Sequence, residues 1–202
     1  MISKGFKNEP PQSPFAPVYT YPLCEELIKG IDYKKIAKII LKKEPELMKQ
    51  YGPTKKTNKD GYTGLGTNSL TSRYDSYDIF DMDPCIKALV PKIFNLHNKF
   101  LKALNIPLPS HISIKGWANV LRKGESVKAH LHDVSPYAYL EGNIPIQCNN
   151  TSTFYINPVD QINDPEVLET KNQVGLLTLF HYTNKHTSSE ERITIAFGLT
   201  PR

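Results

Sequence analysis

The segment RITIAFGL, residues 192–199, decides the fold class of this chain. Every second residue from Ile193 to Leu199 is apolar, so these side chains share one face of an extended chain and predict a β-strand with one side in a core. The opposite face begins with Arg192 and Thr194. The segment therefore predicts a half-buried strand whose second face carries polar groups.

Strand-like runs of the same kind fill the second half of the chain. Proline, glycine and asparagine separate them and no helical pattern lies between them, so the strands are expected to pair antiparallel in a sandwich or barrel. The predicted strands cover residues 111–121, 126–132, 137–147, 152–156, 174–181 and 192–199. The expected fold class is mainly β within an α+β chain, with the N-terminal helices packed on one outer face.

The first half of the chain begins with proline-rich sequence and continues with a helical pattern. Residues 1–22 predict an extended lead-in, because proline fixes φ and removes the backbone donor. Apolar residues then recur at helical spacing over residues 23–50, with Asp32 as the expected N-cap. Pro45 interrupts this pattern, which leaves one helix or two open.

A long loop and a second helix complete the first half. Residues 52–78 contain several glycines and predict a loop that lies beside a binding cleft. The second helix is expected to begin at Asp83 and Pro84, an N-cap followed by a proline in the first turn, and to run to about Asn105. Pro91 is expected to kink it.

Composition and charge exclude several classes of protein. The chain has 202 residues, 39% hydrophobic and 22% charged, which predicts one folded domain over residues 1–202. No apolar run approaches the ~20 residues of a membrane span, and the first residues lack the apolar core of a signal peptide, so a cytoplasmic location without a membrane partner is expected.

The net charge of +5 comes largely from lysines of the first helical pattern, so nucleic acid is not the expected partner. The three cysteines form no C-x-x-C pair, which argues against a disulfide scaffold.

The histidines of the strand-rich half suggest a metal site. His130 and His132 are two residues apart, so on a strand their imidazoles point to one face and can bind the same ion. His186, near the start of the strand at 192–199, is the candidate for a third ligand. A random chain of this length with six histidines would contain about 0.15 such pairs on average, so the pair alone leaves metal binding open.

Arg192 and Thr194 are a second and independent indication. A guanidinium beside a hydroxyl on one strand face suits a carboxylate, because the guanidinium offers a fork of two N–H donors and the hydroxyl adds another. The small Ala196 on the same face leaves room for a ligand. The alternative is a surface ion pair between Arg192 and Glu190 or Glu191.

Two segments resemble the Fe(II)- and 2-oxoglutarate-dependent oxygenases. They are WANVLRKGESVKAHLHDVS, residues 117–135, and GLLTLFHYTNKHTSSEERITIAFGL, residues 175–199. They look most like a poorly characterised group from marine bacteria and their phages, and the loop residues Gly64–Gly66 and Leu70–Arg73 also resemble that group. The resemblance covers roughly residues 60–200.

The resemblance implies both a fold and a metal site. The fold would be a double-stranded β-helix, a jelly-roll or cupin-like barrel, over residues 110–200, supported by the helices and the long loop of residues 23–105. Fe(II) would be bound by His130, His132 and His186, which would be the catalytic residues.

The resemblance also implies a cosubstrate and a reaction. 2-Oxoglutarate would bind the iron through its keto and C1 carboxylate oxygens, and its C5 carboxylate would meet Arg192 and Thr194. Asn119 would hydrogen-bond the cosubstrate or a bound water, with a structural contact as the alternative. The reaction would use O2, release succinate and CO2, and hydroxylate an unactivated C–H bond. The primary substrate would be a protein side chain such as proline, a small metabolite or a modified base.

Departures from the family pattern leave some questions open. His132 stands where the wider superfamily has aspartate, so the ligand set is expected to be all imidazole unless the adjacent Asp133 supplies a carboxylate. Two rival functions are a cupin-type metal dioxygenase that needs no 2-oxoglutarate, and an inactive barrel that serves as an interaction module. The sequence also leaves open whether the protein forms a homodimer. The expected cytoplasm is that of the organism that encodes the protein or, for a phage protein, that of the infected cell.

Overall fold

The described part of the chain contains ten β-strands and three α-helices. The structure, a computed structural model, describes residues 2–8, 10–16, 18–55, 59–130, 139–157, 159, 167–181, 184–187 and 191–201, with the backbone alone at residues 2, 3 and 184–187. The strands are β1 (Ile2–Lys7), β2 (Thr20–Leu27), β3 (Ile112–Leu121), β4 (Ser126–His130), β5 (Leu140–Gln147), β6 (Ser152–Ile156), β7 (Val167–Lys171), β8 (Leu176–Phe180), β9 (Asn184–Thr187) and β10 (Arg192–Pro201). The helices are α1 (Tyr33–Gln50), α2 (Pro84–Lys87) and α3 (Val90–Ala103).

The strands form two antiparallel sheets. One has six strands in the order β1-β2-β8-β5-β10-β3, and the other has four in the order β4-β9-β6-β7. Each pairing among the described strands is antiparallel. The prediction of a mainly β fold with antiparallel strands is therefore confirmed.

The main hydrophobic cluster joins helix residues to strand residues. Ile36 and Ile40 of α1 and Ile93 of α3 are buried in the same cluster as Ile144 of β5 and Ile195 of β10. This cluster takes the face of β10 that the alternating sequence predicts to be apolar. Within the described residues, no helix has the length and apolarity needed to span a membrane.

The first helical prediction differs from the structure at its beginning. Residues 20–27 form β2, because they pair with β8 and bury Leu23 and Cys24, and this tertiary pairing outweighs the local helical spacing. The helix begins at Tyr33 and continues through Pro45 without a break. Asp32 caps it as predicted, since its side chain accepts a hydrogen bond from the backbone N–H of Lys35 at 3.0 Å.

The second helical prediction splits into two elements. Asp83 caps α2 as predicted, but α2 ends at Lys87 and α3 begins at Val90. Pro91 therefore lies in the first turn of α3, where its missing N–H is not needed, and does not kink a longer helix. Strands β1, β7 and β9 were not predicted, because they are short and lack a clear apolar alternation.

The outer edge of β3 is covered by the end of the 52–78 loop. The backbone N–H of Ala118 donates to the hydroxyl of Tyr77 at 3.0 Å, and that of Gly116 donates to Oδ1 of Asp78 at 3.1 Å. These two side chains satisfy donors that a neighbouring strand would otherwise take.

Candidate functional site

A small cleft opens between the two sheets and contains about 30 Å³ of free space, roughly the room of one water molecule. Its walls combine apolar, amide and hydroxyl side chains with one imidazole. The lining residues are Thr63, Thr71, Trp117, Asn119, Val127, His130, Gly142, Asn143, Phe180 and Ala196. None of these described residues carries a fixed charge at neutral pH, so the cleft suits ligands held by hydrogen bonds or by a metal.

His130 enters the cleft because β4 is irregular. Val127 pairs with His186 of β9, whereas His130 pairs with Asn184. Between these two pairs β4 advances by three residues and β9 by only two, so β4 contains one extra residue. On a regular strand Val127 and His130 would face opposite sides, but both line the cleft. The extra residue therefore turns the imidazole toward the interior.

The imidazole of His130 is oriented by its own strand. Its Nδ1 lies 2.9 Å from the carbonyl oxygen of Lys128, and because a carbonyl only accepts, Nδ1 is the donor. In the neutral ring Nε2 then carries the lone pair that a metal requires. The backbone N–H of Lys128 donates to the carbonyl of Thr63 at 2.8 Å, which ties the long loop to this strand.

Asn119 and Thr71 bring two unsatisfied oxygens to the same cleft. Oδ1 of Asn119 and Oγ1 of Thr71 are buried without a hydrogen-bond partner, and the two residues are only 7% and 3% exposed. A buried polar atom left without a partner costs about 1–3 kcal/mol. Both atoms are therefore suited to a ligand or a water molecule bound in the cleft.

Arg73 holds the loop segment that carries Thr71. Its guanidinium donates to the backbone carbonyls of Tyr51 at 3.1 Å, of Ser69 at 2.9 Å and of Thr67. Burial lowers the pKa of Arg73, yet a guanidinium remains protonated at neutral pH. These contacts fix a short turn of helix over residues 70–73 against the cleft.

Arg192 is fully buried between the two sheets. On its own strand, Nε donates to Oγ1 of Thr194 at 2.9 Å. The rest of the guanidinium reaches the four-stranded sheet, where Nη1 donates to the carbonyl of Ser152 at 3.3 Å and Nη2 donates to Oγ1 of Thr153 at 3.1 Å. Nη2 also donates to Oδ1 of Asn172 at 3.3 Å. Burial lowers the pKa of Arg192 to about 10, so the group keeps its positive charge at neutral pH.

The burial of Arg192 excludes the surface role that the sequence left open. Glu191 instead lies 2.9 Å from the guanidinium of Arg122 and accepts a hydrogen bond from Gln147 at 3.0 Å. Glu190 lies outside the described residues. Arg192 thus belongs to the interior of the fold.

No protein-family model matches the sequence, and no curated protein matches it. One solved structure covers 89% of this chain and 92% of its own at 9% sequence identity, with a TM-score of 0.60.

The fold is similar to that of a prolyl-4-hydroxylase from Pseudomonas putida. A second structure, an oxidoreductase of the 2OG-Fe(II) oxygenase family from Burkholderia pseudomallei, matches over 59% of each chain at 10% identity with a TM-score of 0.45. At such identities the likeness to the prolyl-4-hydroxylase concerns the fold.

The structure brings some of the predicted site residues together. His130 and Asn119 line one cleft, and Arg192 and Thr194 lie farther along the face of β10 that contributes Ala196 to it. His186 lies on β9, the strand that precedes β10 in the chain, and its backbone pairs with that of Val127. Its side chain lies outside the described part of the chain.

His132 and its competitor Asp133 both lie outside the described residues. Among the side chains that are described, no three from His, Cys, Asp and Glu form a group that could hold a metal ion.

Two parts of the site were missed by the sequence. Thr63 and Thr71 reach the cleft from the long loop, which the sequence predicted to lie beside a cleft without marking either residue. Thr153 and Asn172 contact Arg192, and no sequence signal marks either residue.

Proposed function

We propose that this chain is a non-haem Fe(II)- and 2-oxoglutarate-dependent dioxygenase, a hydroxylase that releases succinate and CO2. The two antiparallel sheets and the likeness to the fold of a prolyl-4-hydroxylase support this function. The proposed architecture is one domain over residues 1–202, a double-stranded β-helix with the N-terminal helices on one outer face.

The observation that carries the proposal is the buried guanidinium of Arg192 beside Thr194. Removing an arginine from water costs several kcal/mol, so the interior of a small domain rarely contains one without a use for its charge. A dicarboxylic cosubstrate provides that use, because its distal carboxylate can accept hydrogen bonds from both the guanidinium and the hydroxyl. Nε of Arg192 and Oγ1 of Thr194 are 2.9 Å apart, which is close enough for one carboxylate to contact both residues.

Two features of the cleft support an iron site there. His130 presents an imidazole whose Nδ1–H is bound to a backbone carbonyl, an arrangement typical of metal-binding histidines. The unsatisfied oxygens of Asn119 and Thr71 lie in the same cleft. His130, His132 and His186 would hold the iron, with Asp133 as the alternative to His132. When bound, Fe(II) with 2-oxoglutarate and O2 supplies the oxidising power for a C–H bond.

The residues of the chain itself would bind, orient and shield the reactants. Arg192 and Thr194 would hold the C5 carboxylate of 2-oxoglutarate, and Asn119 would hydrogen-bond the cosubstrate or a bound water. Trp117 and Phe180 form apolar walls that would exclude water from the reacting carbon. The protein thus contributes orientation and a dry pocket.

The test is an anaerobic titration of the protein with Fe(II) and 2-oxoglutarate. A chelate of the two should produce a charge-transfer absorbance in the visible region, and His130→Ala should lose it while remaining folded by circular dichroism. Arg192→Met should raise the Kd for 2-oxoglutarate and leave the Kd for the metal unchanged. Absence of the absorbance in wild-type protein at saturating ligands would contradict the proposal.

The same titration separates the rival functions. A cupin-type dioxygenase would bind the metal but not 2-oxoglutarate, and an inactive barrel would bind neither.

For the primary substrate, we propose a protein side chain such as proline or a small metabolite. Succinate formation in the presence of proline-containing peptides, compared with free metabolites, would distinguish the two.

A further inference from the structure

Asn172 lies directly after β7 and contacts the buried guanidinium of Arg192. Its Oδ1 accepts a hydrogen bond from Nη2 of Arg192 at 3.3 Å. The same oxygen accepts a second hydrogen bond from Oγ1 of Thr153 at 2.9 Å. The hydroxyl of Thr153 in turn accepts from Nη2 of Arg192 at 3.1 Å, so the three groups form a closed triangle.

The amide of Asn172 is held in one orientation by Thr151. Its backbone N–H donates to the carbonyl of Thr151 at 2.9 Å, and its Nδ2 donates to the hydroxyl of the same residue at 2.9 Å. Because Oδ1 faces two donors and Nδ2 faces a hydroxyl, a flipped amide would lose the contact with Arg192. Thr151 and Thr153 are buried, which leaves the network little room to rearrange.

We infer that Asn172 is a positioning residue that aims the guanidinium of Arg192 at the distal carboxylate of the cosubstrate. The inference rests on the proposed function, in which Arg192 binds that carboxylate. Asn172 holds one edge of the guanidinium with a neutral oxygen and adds no negative charge at that point. A carboxylate at the same place would compete with 2-oxoglutarate for the guanidinium.

The decisive variant is Asn172→Asp, which keeps the shape of the side chain and adds a charge. It is expected to raise the Kd for 2-oxoglutarate about a hundredfold, the scale of losing a charge-assisted carboxylate pair. The Kd for 2-oxobutyrate, a 2-oxo acid without a distal carboxylate, is expected to stay unchanged. Both constants are measured by anaerobic titration of the Fe(II)-loaded protein, which reports binding and not turnover.

Gln173→Glu is the matched control, because residue 173 is exposed and the change adds the same charge one position along the chain. It should leave both dissociation constants as in wild type. Thermal unfolding of Asn172→Asp should occur at or above the wild-type temperature, since the new carboxylate can pair with Arg192. If that variant does not fold, Asn172→Ala takes its place, with an expected rise of about tenfold in the Kd for 2-oxoglutarate alone.

The outcomes separate this inference from the proposed function. Wild-type affinity for 2-oxoglutarate in Asn172→Asp, or an equal loss for both 2-oxo acids, would overturn the positioning role while leaving the oxygenase proposal intact. Failure of wild-type protein to bind 2-oxoglutarate would instead remove the proposed function itself.

Discussion

The hydroxyl of Thr71 is buried beside the cleft and has no hydrogen-bond partner. Valine at this position would be more favourable for stability, because it has the same shape as threonine and no polar atom to leave unsatisfied. Retention of the hydroxyl is therefore consistent with a role in binding. This type of residue often carries a cost in stability that binding of a ligand offsets.

Thr71→Val should raise the free energy of unfolding of the ligand-free protein by about 1 kcal/mol, since it removes an unsatisfied polar atom without changing the volume. Urea denaturation followed by circular dichroism measures the change. Thr153→Val is the contrasting variant and should lower the free energy of unfolding by roughly 1–3 kcal/mol, because its hydroxyl bonds to Asn172 and Arg192. Equal destabilisation by both variants would show that Thr71 has a partner in solution.

At the scale of single elements, β5 leaves no space for a side chain at Gly142. A Cβ added there would lie 2.2 Å from Cζ of Phe197 on the neighbouring strand β10. Gly142→Ala should therefore lower the free energy of unfolding by about 1–3 kcal/mol through overpacking. Gly52→Ala is the control, because a Cβ at that glycine meets nothing within 4 Å. An unchanged unfolding temperature for Gly142→Ala would mean that β5 and β10 can move apart to accommodate the added methyl group.

Elements with a regular apolar period could be predicted from the sequence, and others could not. The strand at 192–199 alternates over its whole length, and in the structure β10 buries Ile193 and Ile195 in the main cluster. In contrast, β2 contains Pro22 and two glutamates and becomes a strand through its pairing with β1 and β8. The spacing of apolar residues in a segment indicates which face is buried, but it does not indicate which distant strand the segment pairs with.

The same limit applies to the candidate site. Arg192 and Thr194 could be paired from their spacing alone, because both lie on one strand. The irregularity of β4 that turns His130 inward depends on its register with β9, and Asn172 meets Arg192 only through the packing of two sheets. Contacts between elements far apart in the chain require the fold before they can be seen.

At the scale of the whole molecule, buried tyrosines link stability to alkaline pH. Burial raises the pKa of Tyr33 to about 12 and also raises the pKa values of Tyr77 and Tyr155. A phenol with a folded pKa above its unfolded value of 10 stabilises the fold fully below pH 10, and this contribution is lost as pH rises through the folded pKa. Unfolding free energy should therefore fall as the pH rises above 10.

Comparison with Tyr77→Phe isolates one of these phenols from the other groups that titrate in the same range. At about pH 8 the variant should be less stable than wild type by roughly 1–2 kcal/mol, because the N–H of Ala118 loses its acceptor. Its deficit should shrink above pH 10, because the variant lacks the phenol of Tyr77, which wild type must keep protonated in the core. A deficit that stays constant in urea denaturation across this range would contradict the assignment.

The position of β10 in the six-stranded sheet has a consequence for how the protein is made. β10 lies between β5 and β3, so strands synthesised earlier are joined only when residues 192–201 have left the ribosome. β2 likewise waits for β8, about 150 residues later in the chain. The nascent chain therefore keeps one edge of β2 open until β8 has been synthesised, and β3 joins the sheet only when β10 follows.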